Sequence, residues 1–306
     1  MARIPSDLMS TSTLSRPEPL RQSTAELALH ANRMRRDVIR MVHGAACGHP
    51  AGPLGMAEMM SALYFHEMAI DPQQPEHPLR DRFVLSNGHC CAALYSTLAR
   101  RGYFPATDLA QFRKFGSHFQ GHPHLGALPG IEMSTGSLGT GVSVAGGMAL
   151  AAKLDGSPAR IYAVTSDGES QEGQPWENAT AAAHYGLGNL TLLLDWNGIQ
   201  IDGRTKDVMN PGDIGAKYAA FGWQVIEVDG HDLASLLDAL AQARTDEDRP
   251  CLIACRTKIG KGVSYMEDVP DFHGMAPNDE QAILALRELG DPNPETLDHS
   301  QASLWG

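Results

Sequence analysis

Two apolar runs of strand length, joined by a short helix and each stopped by a turn, constrain this chain more than any other feature. The first, Ala159 to Thr165, ends at Ser166-Asp167-Gly168; the second, Asn189 to Leu194, ends at Asp195-Trp196-Asn197-Gly198-Ile199. Between them, Pro175 to Leu187 has a proline start, several alanines, and Gly186 and Gly188 to end it, which predicts a helix. Such a βαβ unit makes its strands parallel, with both carboxyl ends on one edge of the sheet. Asp167 and Asn197 then leave neighbouring strand ends together, on the edge where open α/β sheets bind ligands.

A carboxylate, an amide oxygen and a loop carbonyl after Asn197 are hard oxygen donors. Mg²⁺ takes about six such donors at roughly 2.0–2.1 Å and usually shares them with substrate phosphates. One reading is therefore a diphosphate held through a divalent metal. The other is that Asp167 caps the helix and Asn197-Gly198 is only a turn; spacing alone leaves both open.

The remainder of the chain continues the alternation. Strands are predicted at Arg82–Leu85, Trp223–Val228 and Cys251–Cys255, with helices at Met56–Met68, Val142–Leu154, Leu233–Ala243 and Asp279–Leu289. The expected fold class is α/β: a three-layer, doubly wound, mostly parallel sheet with helices on both faces. Residues 1–22, rich in Ser, Thr, Arg and Pro, are expected to form a mobile tail, residues 23–290 one domain, and residues 291–306 a polar tail. From Ser23 or Thr24 an amphipathic helix buries Leu27, Ala31, Met34, Val38, Met41, Val42 and Ala45. Arg33, Arg35, Arg36 and Arg40 are expected on its solvated side.

Charge and cysteine usage exclude several classes. A formal charge of -12 argues against nucleic acid as a partner. No apolar run approaches the roughly 20 residues of a membrane span, and the N-terminus has no apolar signal core. Five cysteines, odd in number and without zinc spacing, fit reduced thiols in a cytoplasmic protein.

Histidines recur on glycine-flanked loops: Gly48-His49-Pro50, Gly88-His89 and Gly121-His122-Pro123, the last inside a long loop from Gly116 to Thr135. One loop histidine is ordinarily structural or solvated. Three of them beside a diphosphate-type unit favour a polar site that handles hydroxyl and carbonyl oxygens. Thr135 to Gly141 adds a small-residue loop where backbone can approach a flat ligand closely. Lys258, Lys261 and His273 follow a strand end and are candidates for the same diphosphate, solvation being the plain alternative for the lysines.

These motifs, taken in order, resemble those of transketolase. The stretch from Asp167 to Asn197 is similar to the thiamine diphosphate motif, with Ser166 in place of its first glycine and Trp196 before the asparagine. Around it stand Gly52-Pro53-Leu54-Gly55, the segment Asp81 to His89, Thr135 to Gly139, Gln171-Glu172-Gly173 and His273-Gly274. The resemblance covers Ser23 to about Leu289 and matches the N-terminal, diphosphate-binding domain of the family. It implies thiamine diphosphate and Mg²⁺ as cofactors, with Ca²⁺ or Mn²⁺ able to substitute. Asp167, Asn197 and Ile199 would hold the metal. Gly136, Ser137, Leu138, Gly168, Asn197, His89 and His273 would contact the cofactor, and Glu172 would join through a carboxylate network at the subunit interface. His49, His122 and His273 would face the substrate as catalytic residues.

The implied reaction moves a two-carbon ketol unit from a ketose phosphate to an aldose. In the family a glutamate on a second, pyrimidine-binding domain activates the cofactor, and nothing after Leu289 is long enough to encode that domain. The expectation is one half of a split transketolase, partnered by a C-terminal subunit in an α2β2 assembly. Two alternatives stand beside it: the alpha subunit of a thiamine-dependent 2-oxo acid dehydrogenase, and a non-catalytic regulatory homologue.

Overall fold

The computed structural model describes residues 15–306. In chain order its strands are β1 (Arg82–Leu85), β2 (Ile161–Ser166), β3 (Leu190–Trp196), β4 (Ile199–Gln200), β5 (Gly203–Arg204), β6 (Gln224–Asp229) and β7 (Cys251–Arg256). The helices are α1 (Thr24–Ala45), α2 (Ala51–Gly55), α3 (Ala57–Ala62), α4 (Cys91–Arg101), α5 (Thr140–Leu154), α6 (Gln174–His184), α7 (Thr205–Val208), α8 (Ile214–Ala220), α9 (Leu233–Ala243) and α10 (Asp279–Glu288).

Five strands form one sheet in the order β1-β2-β3-β7-β6, and every neighbouring pair is parallel. A sheet of this kind is buried on both faces, so its strands read as continuous apolar runs rather than as alternation. Tyr162, Val164, Leu193 and Ile253 face a layer built from α1, α3, α4, α9 and α10. Ile161, Ala163, Leu192 and Leu252 face α5, α6 and α8. The expected three-layer α/β architecture is the one observed. β4 and β5 make a separate antiparallel ribbon that the apolar pattern of the sequence does not announce.

The routing of the loops places the site. The chain leaves β1 and β7 toward the α1 layer, and leaves β2 and β3 toward the α5 layer. Loops that part in opposite directions open a crevice at the carboxyl ends of the strands.

α1 begins with a capping box: the Ser23 hydroxyl accepts from Glu26 N, and the Glu26 carboxylate accepts from Ser23 N at 2.8 Å. Two of the four arginines of α1 depart from expectation. Arg35 is buried, paired to Glu58 at 2.6 Å, and Arg40 is only 1% exposed, paired to Asp291 at 2.7 Å. Arg33 is exposed and Arg36 partly exposed as expected, but α3 and the C-terminal segment pack over Arg35 and Arg40. The Met56–Met68 helix is also interrupted: α3 ends in a π-helical turn, Leu63–Glu67.

Both tails need correction where the structure describes them. Residues 1–14 of the expected N-terminal tail lie outside the described residues. Residues 15–22 are tied down: Arg16 pairs with buried Asp81, Arg21 with Glu67 at 3.1 Å, and Gln22 N donates to Phe65 O. At the other end, Arg40 Nη1 donates to Thr296 O at 2.9 Å, and His43 Nδ1 lies 2.8 Å from His299 Nε2. Trp305 is 3% exposed and its indole N–H donates to His299 O. Residues 291–306 are therefore a packed strap. Trp305→Ala is expected to lower stability by about 3–5 kcal/mol, the usual cost of emptying a buried aromatic site, and urea denaturation would measure it.

Candidate functional site

The floor of the crevice follows from the β2–β3 register, which sets Ser166 opposite Asp195. Asp167 comes next and is 1% exposed, as is Asp195. The Asn197-Gly198 turn folds back over Asp167. Its carboxylate accepts from Gly198 N at 2.8 Å, Thr205 Oγ1 at 3.1 Å and Gly168 N at 3.0 Å. Asn197 is fixed in turn, its Oδ1 accepting from Ile199 N and its Nδ2 donating to Asp195 Oδ2, each at 2.9 Å. Gly198 stands at φ +75, the left-handed conformation this tight return requires. Burial and the neighbouring Asp195 charge push the Asp167 carboxyl up to about 7, against the pull of its three donors.

A second buried carboxylate has no motif to mark it in the sequence. Glu169, fully buried on the turn after β2, accepts from Ser86 Oγ, from Gly139 N at 2.6 Å and from Thr165 Oγ1 at 2.8 Å. It ties the loop after β1 and the glycine loop before α5 to β2. Its position two residues after Asp167 is the one available sign. Its partners, 83 and 30 residues away, are not legible in one sequence.

Above this floor lies a cavity of about 440 Å³. His49, His89 and His273 meet in a triangle, with ring centroids 5.1, 5.2 and 5.7 Å apart. His122 stands beside Gly136, where a Cβ would lie 3.1 Å from the imidazole. All four rings line the cavity, as do Gly136, Leu138, Gly168, Glu172, Asn197 and Ile199. Asp167 sits under the wall, and Ser137 is exposed between Gly136 and Leu138. Lys258 and Lys261 are not brought in; both pair with Glu267.

Burial holds the histidines neutral, and each charged neighbour would add to the effect. His49 is lowered to about 4 by burial, His273, Arg113 and His122. His89 is lowered to about 3 by burial, His273, His49 and His122, while burial alone lowers His273. The Nδ1 atoms of His49 and His273 and the Asn87 Oδ1 are buried without a hydrogen-bond partner in the same wall. Buried polar atoms left unpaired are costly, so a wall carrying several of them is shaped for a polar ligand.

The donor set also fits a hard cation carried by a diphosphate. Asp167, Asn197 and the backbone at Ile199 offer oxygen only, and no lysine or arginine among the described residues lines the cavity. No group of three His, Cys, Asp or Glu side chains among the described residues could hold a metal by itself. Phosphate oxygens would have to complete the shell.

Glu169→Ala would strand three donors in a dry site, each costing about 1–3 kcal/mol. The variant is expected to unfold at clearly lower urea, while Glu169→Gln, which keeps an acceptor, loses less.

A family model described as "Transketolase, thiamine diphosphate binding domain" matches residues 27–297. One subunit of the apulose-4-phosphate transketolase of Phocaeicola vulgatus is 38% identical over 265 residues, covering 87% of this chain and 94% of that protein. The 6-deoxy-6-sulfo-D-fructose transketolase subunit SqwG of a Clostridium species is 40% identical, covering 86% and 96%. Among solved structures, transketolase from Campylobacter jejuni superposes with a TM-score of 0.84 at 35% identity. It matches 88% of this chain, which spans only 43% of that one. Among the described residues no helix is long and apolar enough to cross a membrane. Motifs, fold and relatives agree, and the chain belongs to the transketolase family, in which it corresponds to the thiamine diphosphate-binding domain.

Proposed function

We propose that this chain is the diphosphate-binding subunit of a two-chain transketolase that moves a ketol unit between an anionic ketose and an aldose. The observation that carries the reading is the oxygen-lined floor, without a lysine or arginine among the described residues, beneath a triangle of histidines whose charged forms burial disfavours. The two-chain arrangement is supported by relatives that are themselves named subunits and match this chain over nearly their whole length. Exposed Ile201, which lines the cavity, and exposed Met209, whose carbonyl accepts from the lining residue Gln171, suit coverage by a partner subunit carrying the pyrimidine-binding domain. Two such pairs would form the α2β2 assembly. The substrates named for those relatives, a ketose phosphate and a sulfonated ketose, support a donor with an anionic far end.

In this reading Asp167, Asn197 and the Ile199 carbonyl hold Mg²⁺ against the diphosphate. Gly136, Ser137, Leu138, Gly168, His89 and His273 shape the cofactor's seat, with Glu172 at its rim. When bound, thiamine diphosphate supplies the electron sink for breaking and forming the carbon–carbon bond. The chain's own task is to orient the sugar and to handle its protons. A neutral imidazole offers one N–H donor and one acceptor, so His49, His122 and His273 can hold substrate hydroxyls and stabilise charge on a carbonyl oxygen.

The deciding experiment is calorimetry of thiamine diphosphate with Mg²⁺, on the chain alone and mixed with a candidate partner subunit. Tight metal-dependent binding and ketose cleavage are expected in the mixture. Absence of metal-dependent binding in both would overturn the reading. The affinity has a predicted pH dependence. Because the Asp167 carboxyl is raised to about 7, the metal must displace a proton below that pH. Affinity should then fall by about tenfold per pH unit beneath about 7 and level off above it. His122→Ala is expected to lower kcat by about 100-fold while cofactor affinity changes little; the opposite split would remove it from the substrate side.

A further inference from the structure

Behind the cavity, on the α1 side, lies a charged relay that the site just described does not use. Glu58 of α3 is buried and accepts two bonds on one oxygen, from Arg35 Nη2 at 2.6 Å and from His231 Nδ1 at 3.1 Å. The other ring nitrogen, His231 Nε2, accepts from the backbone N–H of Lys258 at 2.9 Å. These two partners fix the tautomer: Nδ1 carries the proton and Nε2 is the acceptor. Side-chain acceptors for a single backbone N–H are usually short polar residues close in sequence. Here the acceptor comes from the loop after β6, and Gly230 lets that loop close on β7. A Cβ at Gly230 would meet Thr257 Cγ2 at 2.5 Å.

The backbone so held matters for the cavity. Ile259 is fully buried and forms part of the cavity wall. Gly260 N donates to Ala51 O at 2.8 Å, fastening the same segment to α2 beside His49. Thr257 Oγ1 donates to Asp195, which accepts from Asn197 at 2.9 Å. Arg35, while paired with Glu58, also donates to Leu54 O of α2 at 3.0 Å.

We propose that His231, oriented by Glu58, is a positioning residue of the cofactor cavity. Its ring acceptor holds the Thr257–Gly260 backbone, and with it the Ile259 wall and the Thr257–Asp195–Asn197 chain. The inference rests on the reading of the cavity as a thiamine diphosphate site.

Two variants of the full chain test it. His231→Leu removes the acceptor, whereas His231→Gln returns an oxygen near the place of Nε2. Amide hydrogen exchange of residues 257–260, measured without cofactor, should quicken by about tenfold or more in the Leu variant and stay within about threefold of wild type in the Gln variant. Affinity for thiamine diphosphate with Mg²⁺ should follow the same order, with a loss of about 10–100-fold in the Leu variant, as for other residues that orient a ligand set. Melting temperature checks that both variants fold. Unchanged exchange in a folded Leu variant would overturn the proposal, and so would a folded Gln variant that fails to restore protection. A wild-type chain that does not bind the cofactor would instead overturn the functional reading, while the exchange result still decides the relay.

Discussion

The register that sets Ser166 of β2 opposite Asp195 of β3 is the constraint on which the site depends. A one-residue slip of either strand would turn that strand inside out, exchanging the residues it presents to the two helical layers. It would also part Asp167 from the turn at Asn197-Gly198. In the register observed, two carboxylates lie buried at adjacent strand ends, an arrangement unfavourable by itself. The protein offsets it locally: three donors converge on Asp167, and Thr257 and Asn197 serve Asp195. The tension that is left appears as the raised Asp167 carboxyl, which a bound cation would relieve in the proposed reading.

Much of this is legible in the sequence because it is local. Strand-length apolar runs, the proline start of α6 and the paired Asp-Gly and Asn-Gly turns each state their geometry within a few residues. What cannot be read there depends on partners far off along the chain. Arg40 looks like a solvated arginine until Asp291, 251 residues later, is folded against it. Arg35 finds Glu58, and Glu169 finds Ser86. The β4–β5 ribbon is an intermediate case. Its loop is Ile201-Asp202, with Gly203 already paired to Gln200, and strands of two residues carry no apolar pattern to announce it. The terminal segments depart from expectation for the same reason. Polar composition describes a tail and a strap equally well, and only contacts such as Trp305 against His299 separate them.

The histidines show how an ordinary residue type takes on a specific state. An isolated loop imidazole titrates near neutrality, but these rings share one cavity and are mutually repulsive when charged. Burial is the leading cause for each, and for His49 and His89 the neighbouring rings add to it. His49 and His89 therefore stay neutral throughout the physiological range, and His273 is shifted the same way, so the cluster can donate and accept without bringing charge to the substrate. A single loop histidine in the sequence cannot declare this, since it is a property of the triangle.

Floor and roof are thus driven the same way. Asp167, Glu169 and Asp195 are raised by burial, the histidines are lowered by it, and both shifts favour the uncharged forms. No lysine or arginine among the described residues lines the cavity to meet an anion directly. A diphosphate entering alone would face buried acids and neutral rings, with only backbone and side-chain dipoles to receive it. In the proposed reading a divalent cation arriving with the diphosphate would favour the ionised form of Asp167, and the phosphate oxygens would complete an oxygen shell that the protein only begins. On that reading the wall would favour the pair over either partner alone, the cation serving where a basic side chain serves in many other phosphate sites.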